Sequence, residues 1–333
     1  MSAKKVSLIP GDFLGRDLAG PVTELLAQAG AQVEWEWLEV PSKIDPEEGP
    51  VTQAWIDSIR ANGVALKAPL RTPMSAGYRS PSYKLRTELD LYAGVRRCRT
   101  LKGLDTRYPD LDLVVIRENT EDVYGGHEHS VHPGVVESLK VVTRTATERI
   151  MRFGFRYARQ TGRQKVAIIH KANIMKKADG LFLNTGLEVG QDYPNVETRG
   201  LIVDNTCMQL VQNPYQFDVL ICGNLYGDII SDLCAGLVGG ISAVWGVDMG
   251  EDCTMFEMLH GRLKQLAGTN KVNPMSMIMP GIHLVRHIGQ GDVADRLQAA
   301  VETVMVEKKY LTEDLGGTAT TSEMIAAITG ALR

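Results

Sequence analysis

The stretch GNLYGDIISD, residues 223–232, follows the apolar run FDVLIC (217–222) and sets two aspartates four residues apart. The apolar run predicts a buried strand, and the spacing places Asp228 and Asp232 on one face of a following helix. Like charges at this spacing repel by about a few tenths of a kcal/mol. An isolated acidic pair of this kind is typical of a solvated helix face, so a functional interpretation needs support from the rest of the chain.

The composition is that of an ordinary soluble globular protein. Apolar residues make up 44% and charged residues 23% of the 333 residues, and 36 basic side chains balance 40 acidic ones to a net charge of −4. This length suggests two domains, and the charge gives no indication of a nucleic-acid partner. Five widely spaced cysteines predict buried thiols in a reducing compartment. We find no signal-peptide core and no run long enough to span a membrane, so we expect a cytoplasmic protein.

Hydrophobic periodicity predicts alternating strands and helices, and therefore an α/β fold. Thr145 and Glu148 carry the spacing of a capping box at the start of one helix. The predicted elements are strands at 5–9, 33–40, 64–69, 114–119 and 135–143 and helices at 17–30 and 147–160.

Three similar units follow, at 165–172, 200–205 and 217–224, each an apolar strand that ends in polar residues. Ligands of open α/β sheets bind at the carboxyl edge of the strands, so Lys171, Asp204 and Asp228 are candidates to meet in one crevice. The chain has neither GxGxxG nor GxxxxGK[ST], which removes the Rossmann fingerprint and the Walker loop.

Eight motifs together resemble the isocitrate/isopropylmalate dehydrogenase family, the metal-dependent β-decarboxylating dehydrogenases. They are IPGDFLGRD (9–17), LRTELDLYAGVR (85–96), RENTEDVYGG (117–126), PGVVESLKVVT (133–143), HKANIMK (170–176), VDNTCMQLV (203–211), GNLYGDIISDL (223–233) and FEMLHG (256–261). The resemblance implies an isopropylmalate-dehydrogenase-like two-domain fold, with mixed β-sheets flanked by helices and no classical Rossmann motif. It also implies a discontinuous large cofactor domain, 1–94 and 241–333, and a small domain, 95–240, with a dimerisation arm.

The resemblance also assigns roles within a homodimer that shares its active sites. The cation would be Mg²⁺ or Mn²⁺, for which carboxylate oxygens are the preferred ligands, and it would relieve the repulsion between Asp228 and Asp232. The resemblance implies that Arg86, Arg96 and Arg117 bind the substrate carboxylates. It implies that Lys171 and Tyr124 transfer protons and that Asp204, Asp228 and Asp232 bind the metal. Lys171 and Asp204 would come from the partner subunit.

The implied cofactor is NAD. The position that holds an aspartate in NAD-using relatives and a lysine in NADP-using bacterial isocitrate enzymes is Gln265 here, so NAD is favoured without a carboxylate to reject NADP. The residues matched to cofactor binding are Thr72, Asn173, His260, Gly261, Gln265, Leu266 and Asn273.

The loop Arg79-Ser80-Pro81-Ser82 decides the substrate. Isocitrate enzymes carry Arg-Ser-Leu-Asn there, and isopropylmalate enzymes carry an apolar patch. The polar loop favours a tricarboxylate contacted by Ser80 and Ser82, with isocitrate as the first expectation. A homoisocitrate, phosphonate, 3-isopropylmalate or tartrate substrate and a non-catalytic regulatory subunit stay open as alternatives.

Two departures from the family and one histidine cluster stand out. Phe13 replaces a glycine in the PGD loop, and Arg97 replaces a proline after Arg96. His127, His129 and His132 resemble a surface dimerisation arm more than a metal site.

Overall fold

The computed structural model describes residues 3–72, 78–240, 244–259 and 264–332. Two strands, β6 (Glu128–His132) and β7 (Val135–Ser138), form a separate hairpin. The other ten pair into one sheet; they are β1 (Lys4–Ile9), β2 (Val33–Trp37), β3 (Val64–Lys67), β4 (Ala93–Arg99), β5 (Asp112–Glu118), β8 (Lys165–His170), β9 (Glu197–Ile202), β10 (Val219–Cys222), β11 (Trp245–Met249) and β12 (Thr254–Glu257).

Helices cover the sheet. They are α1 (Leu14–Gln28), α2 (Gln53–Asn62), α3 (Pro81–Glu88), α4 (Arg144–Gln160), α5 (Ala178–Gly190), α6 (Val203–Gln212), α7 (Asn224–Leu237), α8 (Met275–His287), α9 (Gly291–Glu307) and α10 (Thr321–Gly330). None of these helices is both long and apolar enough to cross a membrane.

The ten strands lie in the order β2-β1-β3-β12-β11-β4-β5-β10-β8-β9. The strands on each side of the sheet pair in parallel. At the centre, β11 and β4 pair antiparallel with each other, β11 also pairs antiparallel with β12, and β4 with β5. Buried strands such as Val64–Lys67 and Val219–Cys222 match this arrangement, because helices cover the faces of a parallel sheet. This architecture confirms the predicted α/β fold with a mixed sheet flanked by helices.

The strands of segments 1–94 and 241–333 occupy one half of the sheet, and those of 95–240 the other. Strand β4, which begins at Ala93, joins the halves by pairing with β11 and β5. The division into two domains stays a prediction.

Most predicted elements exist with shifted ends, and two predictions at the start of α4 are wrong. The helix begins at Arg144, because Thr143 accepts a hydrogen bond from the Ala146 N–H (3.2 Å), so the cap is not the Thr145–Glu148 pair. The strand predicted at 135–143 ends at Ser138. The alternation there reflects an exposed hairpin and not a core strand.

All five cysteines lie in the described ranges and are free thiols. Four are buried and Cys207 is half-buried.

Candidate active site

A cavity of about 210 Å³ lies between the antiparallel centre of the sheet, α3 and α7. A larger cavity of about 540 Å³ lies between α1 and α10 and contains none of the predicted site residues, so chemistry and not volume locates the site. The smaller cavity is lined by Ser80, Arg86, Arg96, Arg117, Tyr124, Asp228, Ser231, Asp232, Ala235, Val244, Glu257 and Leu259. It thus brings together all three predicted clamp arginines, Tyr124 and two of the three predicted metal ligands.

Arg86 and Arg96 share two buried carboxylates. Arg86 Nε donates to Asp248 Oδ2 (2.8 Å) and Nη2 donates to Glu257 Oε1 (3.0 Å). Arg96 donates to the same two residues, to Asp248 Oδ1 at 3.4 Å and to Glu257 Oε1. Lys67 Nζ lies 3.1 Å from Glu257 Oε2. Burial opposes the charge on Glu257, but the cations around it hold the pKa of this carboxyl well below its usual range.

Arg117 sits at the end of β5 and faces α7. Its Nε and Nη2 donate to the Asn224 amide oxygen at 2.9 and 2.7 Å, and Nη1 bonds to Asp228. Its guanidinium carbon lies 5.0 Å from the centre of the Tyr124 ring. These contacts fix the plane of the guanidinium beside the aspartate pair, since a planar fork bound on two edges has little freedom to rotate.

Tyr124 and Asp232 are electrostatically perturbed. The Tyr124 hydroxyl donates to Asp228, and burial raises the pKa of this tyrosine to about 12, helped by Asp228 and opposed by Arg117. Burial, and next the charge of Asp228, raise the pKa of Asp232. Both aspartates line the cavity, although Asp232 stays exposed and the Asp228 side chain is 48% exposed, so the pair forms an open edge of the cavity.

Lys171 and Asp204 lie away from this cavity, although all these residues follow the same edge of the sheet. The Lys171 ammonium bonds to Asp204, whose side chain is 68% exposed, and this contact lowers the pKa of Asp204. Asp179 supports the turn by accepting the Lys171 N–H (2.6 Å). The prediction that Lys171, Asp204 and Asp228 meet in one crevice is wrong within a single chain, because β8 and β9 carry the first two to the outer end of the sheet.

The donor set of Asp228 and Asp232 fits a divalent cation in part. Two carboxylates one helical turn apart supply hard oxygen ligands, and a cation between them would relieve the repulsion between their charges. Within the described ranges no group of three His, Cys, Asp or Glu residues could hold a metal.

The hairpin histidines lie on an exposed surface. His129 Nε2 is 3.1 Å from Glu137 across the β6–β7 hairpin, and every residue of both strands is exposed.

The predicted cofactor residues are spread over loops of both segments, with Asn173 in segment 95–240 and the others in segments 1–94 and 241–333. His260 and Gly261 lie outside the described residues. Gln265 is exposed in a short 3-10 turn and Leu266 beside it is half-buried, while Asn173 is exposed after β8. Asn273 is 3% exposed, donates to Asp314 (2.9 Å) and accepts the Met275 N–H (2.9 Å). Its amide therefore orders the start of α8.

Thr72 and Phe13 border the loop after β1. Thr72 follows Arg71, whose N–H donates to Asp12 (2.6 Å). Phe13 adopts φ 45°, a left-handed region that costs a bulky residue about 1–3 kcal/mol, and Lys264 Nζ lies 5.6 Å from its ring centre. The departure from glycine is thus a strained backbone position next to the turn that carries Gln265.

Ser80 lines the cavity and Ser82 is not among its lining residues. Ser80 occupies the N-cap position of α3, yet its hydroxyl makes no capping hydrogen bond. The side chain is therefore not needed to start the helix.

Sequence reasoning missed the buried carboxylates Asp248 and Glu257, which bind Arg86 and Arg96. It also missed Lys67, which pairs with Glu257, and Asn119, which donates to Asp248. Glu257 stood inside the motif FEMLHG without a role. An aspartate between Val247 and Met249 was the available signal for Asp248, because a charge at the centre of an apolar strand needs a buried partner.

Comparisons with known proteins place the chain in the family that its motifs resemble. The family described as isocitrate/isopropylmalate dehydrogenase matches residues 5–328. Mitochondrial NAD isocitrate dehydrogenase catalytic subunit 5 of Arabidopsis thaliana is 46% identical over 324 residues, 97% of this chain and 87% of the relative. Chloroplastic 3-isopropylmalate dehydrogenase of Solanum tuberosum is 45% identical over 299 residues, 89% of this chain and 84% of the relative.

One regulatory relative and one crystal structure are also similar. Mitochondrial NAD isocitrate dehydrogenase regulatory subunit 1 of Arabidopsis thaliana is 43% identical over 332 residues, 98% of this chain and 89% of the relative. The crystal structure of isocitrate dehydrogenase from Methylococcus capsulatus superposes with a TM-score of 0.93 at 40% identity and full coverage of both chains. The chain belongs to the isocitrate/isopropylmalate dehydrogenase family.

Proposed function

We propose that this protein catalyses the metal-dependent oxidative decarboxylation of a 2-hydroxy-3-carboxy acid. The substrate that we favour is isocitrate, which would be converted to 2-oxoglutarate with NAD as the cofactor. One observation carries the proposal: three buried arginines and the Asp228–Asp232 pair line one cavity. This combination suits a polyanionic hydroxy acid that is held by its carboxylates and chelates a cation.

The arginines supply the recognition. Guanidinium forks bind carboxylates in a bidentate manner, and a buried fork keeps its orientation before the substrate arrives. Arg86 and Arg96 are 7% and 2% exposed, so contacts made there lie in a low dielectric. Ser80 adds a hydroxyl for a third acidic group.

The metal site is completed across a homodimer. Asp228 and Asp232 would supply two carboxylates and Asp204 of the partner subunit the third; bound Mg²⁺ or Mn²⁺ supplies Lewis-acid stabilisation of negative charge on the substrate oxygens. The exposed carboxylate of Asp204, beside the half-buried Lys171, supports this arrangement. So do large apolar side chains that stay exposed on the hairpin and on the sheet edge that carries Lys171, among them Val131, Val136, Leu139, Ile174 and Met208.

Two side chains move protons. Lys171 of the partner subunit, once it has given up its own proton, would take the proton of the substrate hydroxyl, and a bound NAD would supply the hydride acceptor that the oxidation needs. Tyr124 then returns a proton to the carbon that has lost carbon dioxide. Tyr124 suits this role by position, because it lines the cavity and its hydroxyl lies beside Asp228.

The test is a substrate panel with pure protein, Mn²⁺ and NAD, followed by absorbance of the reduced cofactor. Isocitrate, homoisocitrate, a phosphonate analogue, 3-isopropylmalate, tartrate and malate are compared at equal concentration, and each is repeated with NADP and with excess chelator. We expect isocitrate or another compound with a third acidic group to react fastest, with NAD ahead of NADP and no turnover in chelator. Full turnover in chelator, or binding of isocitrate without turnover of any acid, would contradict the proposal; the second result would indicate a regulatory role.

A further inference from the structure

Asp248 is the most deeply buried carboxylate beside the candidate site. It lies in the middle of β11 with no solvent exposure, between β4 and β12. Its Oδ2 accepts Arg86 Nε (2.8 Å), while Oδ1 accepts Asn119 Nδ2 (2.9 Å) and Arg96 Nη1 (3.4 Å). One side chain thus ties together α3, β4 and the residue that follows β5.

Asp248 and Glu257 hold the arginines from different sides. Glu257 is part of the cavity wall, whereas Asp248 is not among the lining residues. Glu257 also shares its charge with Lys67, but Asp248 pairs with arginines and one amide. A molecule in the cavity therefore cannot contact Asp248 directly, and Asp248 can affect its binding only through Arg86 and Arg96.

The geometry of Arg86 depends on this anchor. Binding at Nε by Asp248 and at Nη2 by Glu257 fixes the plane of the guanidinium along one edge. A free arginine side chain has rotamer entropy, which the substrate would otherwise have to remove on binding. A misplaced clamp also lowers the rate, because small errors in the position of reacting groups are costly.

The net charge of the buried cluster around Arg86 and Arg96 also favours binding of a substrate carboxylate. Three cations, Lys67, Arg86 and Arg96, are set against two carboxylates, Asp248 and Glu257. The buried cluster keeps one net positive charge, which a substrate carboxylate can neutralise. Asp248 limits the cost of holding two arginines side by side while leaving that charge in place.

We propose that Asp248 is a positioning residue that presets the Arg86 and Arg96 clamp and thereby determines affinity for the substrate carboxylates. The proposal rests on the proposed function and adds to it a residue that never touches substrate.

The test is a double-mutant cycle with Asp248→Asn, Arg86→Lys and the double variant, in holoenzyme with Mn²⁺, NAD and isocitrate. Asp248→Asn should raise the KM for isocitrate about 10- to 100-fold, the loss expected for a charged hydrogen bond, and change the KM for NAD less than about twofold. The double variant should lose less than the product of the two single losses, because lysine lacks the Nε that Asp248 holds and only the contact of Asp248 with Arg96 is left to lose. Losses that simply multiply, or an equal rise in both KM values, would overturn the proposal.

Asp112→Asn is the matched control. Asp112 also binds two arginines, Arg97 and Arg163, and both of its pairs lie away from the cavity. It should lower the melting temperature without changing the KM for isocitrate. A KM rise as large as that of Asp248→Asn would show a general stability effect and overturn the proposal.

A second variant covers the case in which Asp248→Asn does not fold. Asn119→Ala removes one donor to Asp248 and should raise the KM for isocitrate about threefold to tenfold, a smaller loss than that of a charged partner. An unchanged KM in that variant overturns the proposal. If wild-type protein turns over no acid, the proposed function fails separately, and the same cycle is then measured as isocitrate binding with Mn²⁺ by calorimetry.

Discussion

The two faces of β4 carry neighbouring arginines in opposite environments. Arg96 is 2% exposed and shares Asp248 and Glu257 with Arg86 beside the cavity. Arg97 points to the other face, keeps 32% side-chain exposure, and binds Asp112 through Nε (3.0 Å) and Nη2 (2.7 Å). Side chains alternate along a strand, so adjacent residues of the same type are separated by the sheet.

The difference shows that ion-pair geometry alone does not indicate function. The Arg97 pair is bidentate, but it is partly open to water, where such pairs contribute about 0–1 kcal/mol. The Arg96 cluster includes a longer contact, 3.4 Å to Asp248, but it is buried, where removal of one partner costs about 3–5 kcal/mol. Burial, and contact with the cavity that holds Tyr124 and the aspartate pair, assign the functional role to Arg96. Arg97 lines a separate cavity of about 180 Å³ that contains none of the predicted site residues.

The largest expected effect comes from exchanging each arginine for lysine. Lysine keeps the charge and loses the fork, so Arg96→Lys should lower kcat/KM for the hydroxy acid by about 100-fold or more, equivalent to about 3 kcal/mol. Arg97→Lys should change it less than about twofold. Steady-state kinetics of the two variants decide the matter. Similar losses in both would remove the distinction between the faces.

A prediction about metal binding compares carboxylates on the cavity face and on the opposite face of the sheet. Asp232→Asn on the cavity side should raise the Mn²⁺ concentration needed for half-maximal activity by about 10-fold or more, since an amide is a weaker ligand for a hard cation. Asp112→Asn on the other face should leave that concentration unchanged. Mn²⁺ titrations of activity give both values, and an unchanged requirement in Asp232→Asn would exclude it as a ligand.

Much of this arrangement was predictable from the chain, for a physical reason. Apolar strands that end in polar residues place side chains at a sheet edge, and motif order then selected Arg86, Arg96, Arg117, Asp228 and Asp232. Only Arg117 lies near the end of a strand, whereas Arg86 lies in α3, Arg96 lies inside β4 and the two aspartates lie in α7. Their convergence in one cavity therefore also depends on how α3 and α7 pack against the centre of the sheet.

What could not be read from the sequence depends on tertiary pairing. Asp248 meets Arg86 only because β11 inserts between β12 and β4, at a sequence separation of 162 residues. The cap of α4 also escaped prediction, because Thr143 and Thr145 offer similar signals and local backbone geometry chose Thr143. Likewise, no local pattern shows that Lys171 and Asp204 leave the cavity of their own chain.

Ser80 gives a smaller effect on the cavity side. Its hydroxyl is not used as a helix cap, so its loss should not disturb α3. Ser80→Ala should lower kcat/KM about 10-fold for a substrate with a third acidic group, the value of one hydrogen bond to a charged group, and barely affect malate. Ser80→Glu should be worse, because its charge repels the same group. Equal mild losses for both substrates would mean that Ser80 only shapes the turn before Pro81.

The smallest expected effect lies on the Arg97 face and appears only as a pH dependence of stability. His283 of α8 stacks on Trp245 with ring centres 3.7 Å apart, and burial, followed by the charges of Arg286 and Arg97, lowers the pKa of His283 to about 3. Its pKa in the unfolded chain is about 6.5. The unfolded state therefore binds the additional proton, and stability falls as pH drops from about 6.5 towards 3.

A histidine variant isolates this contribution. Partial exposure reduces the full linkage value, so we expect wild type to lose about 1 kcal/mol more than His283→Phe between pH 7 and pH 5 in urea unfolding. Phenylalanine keeps a ring against Trp245 and cannot titrate. His129→Gln, which removes a histidine from the exposed hairpin, serves as the control and should follow wild type. Catalysis should be unaffected in both variants, because neither residue lines the cavity. An identical loss of stability in wild type and His283→Phe would show that the pocket behind Arg97 accepts the proton, and that this face is wetter than the structure implies.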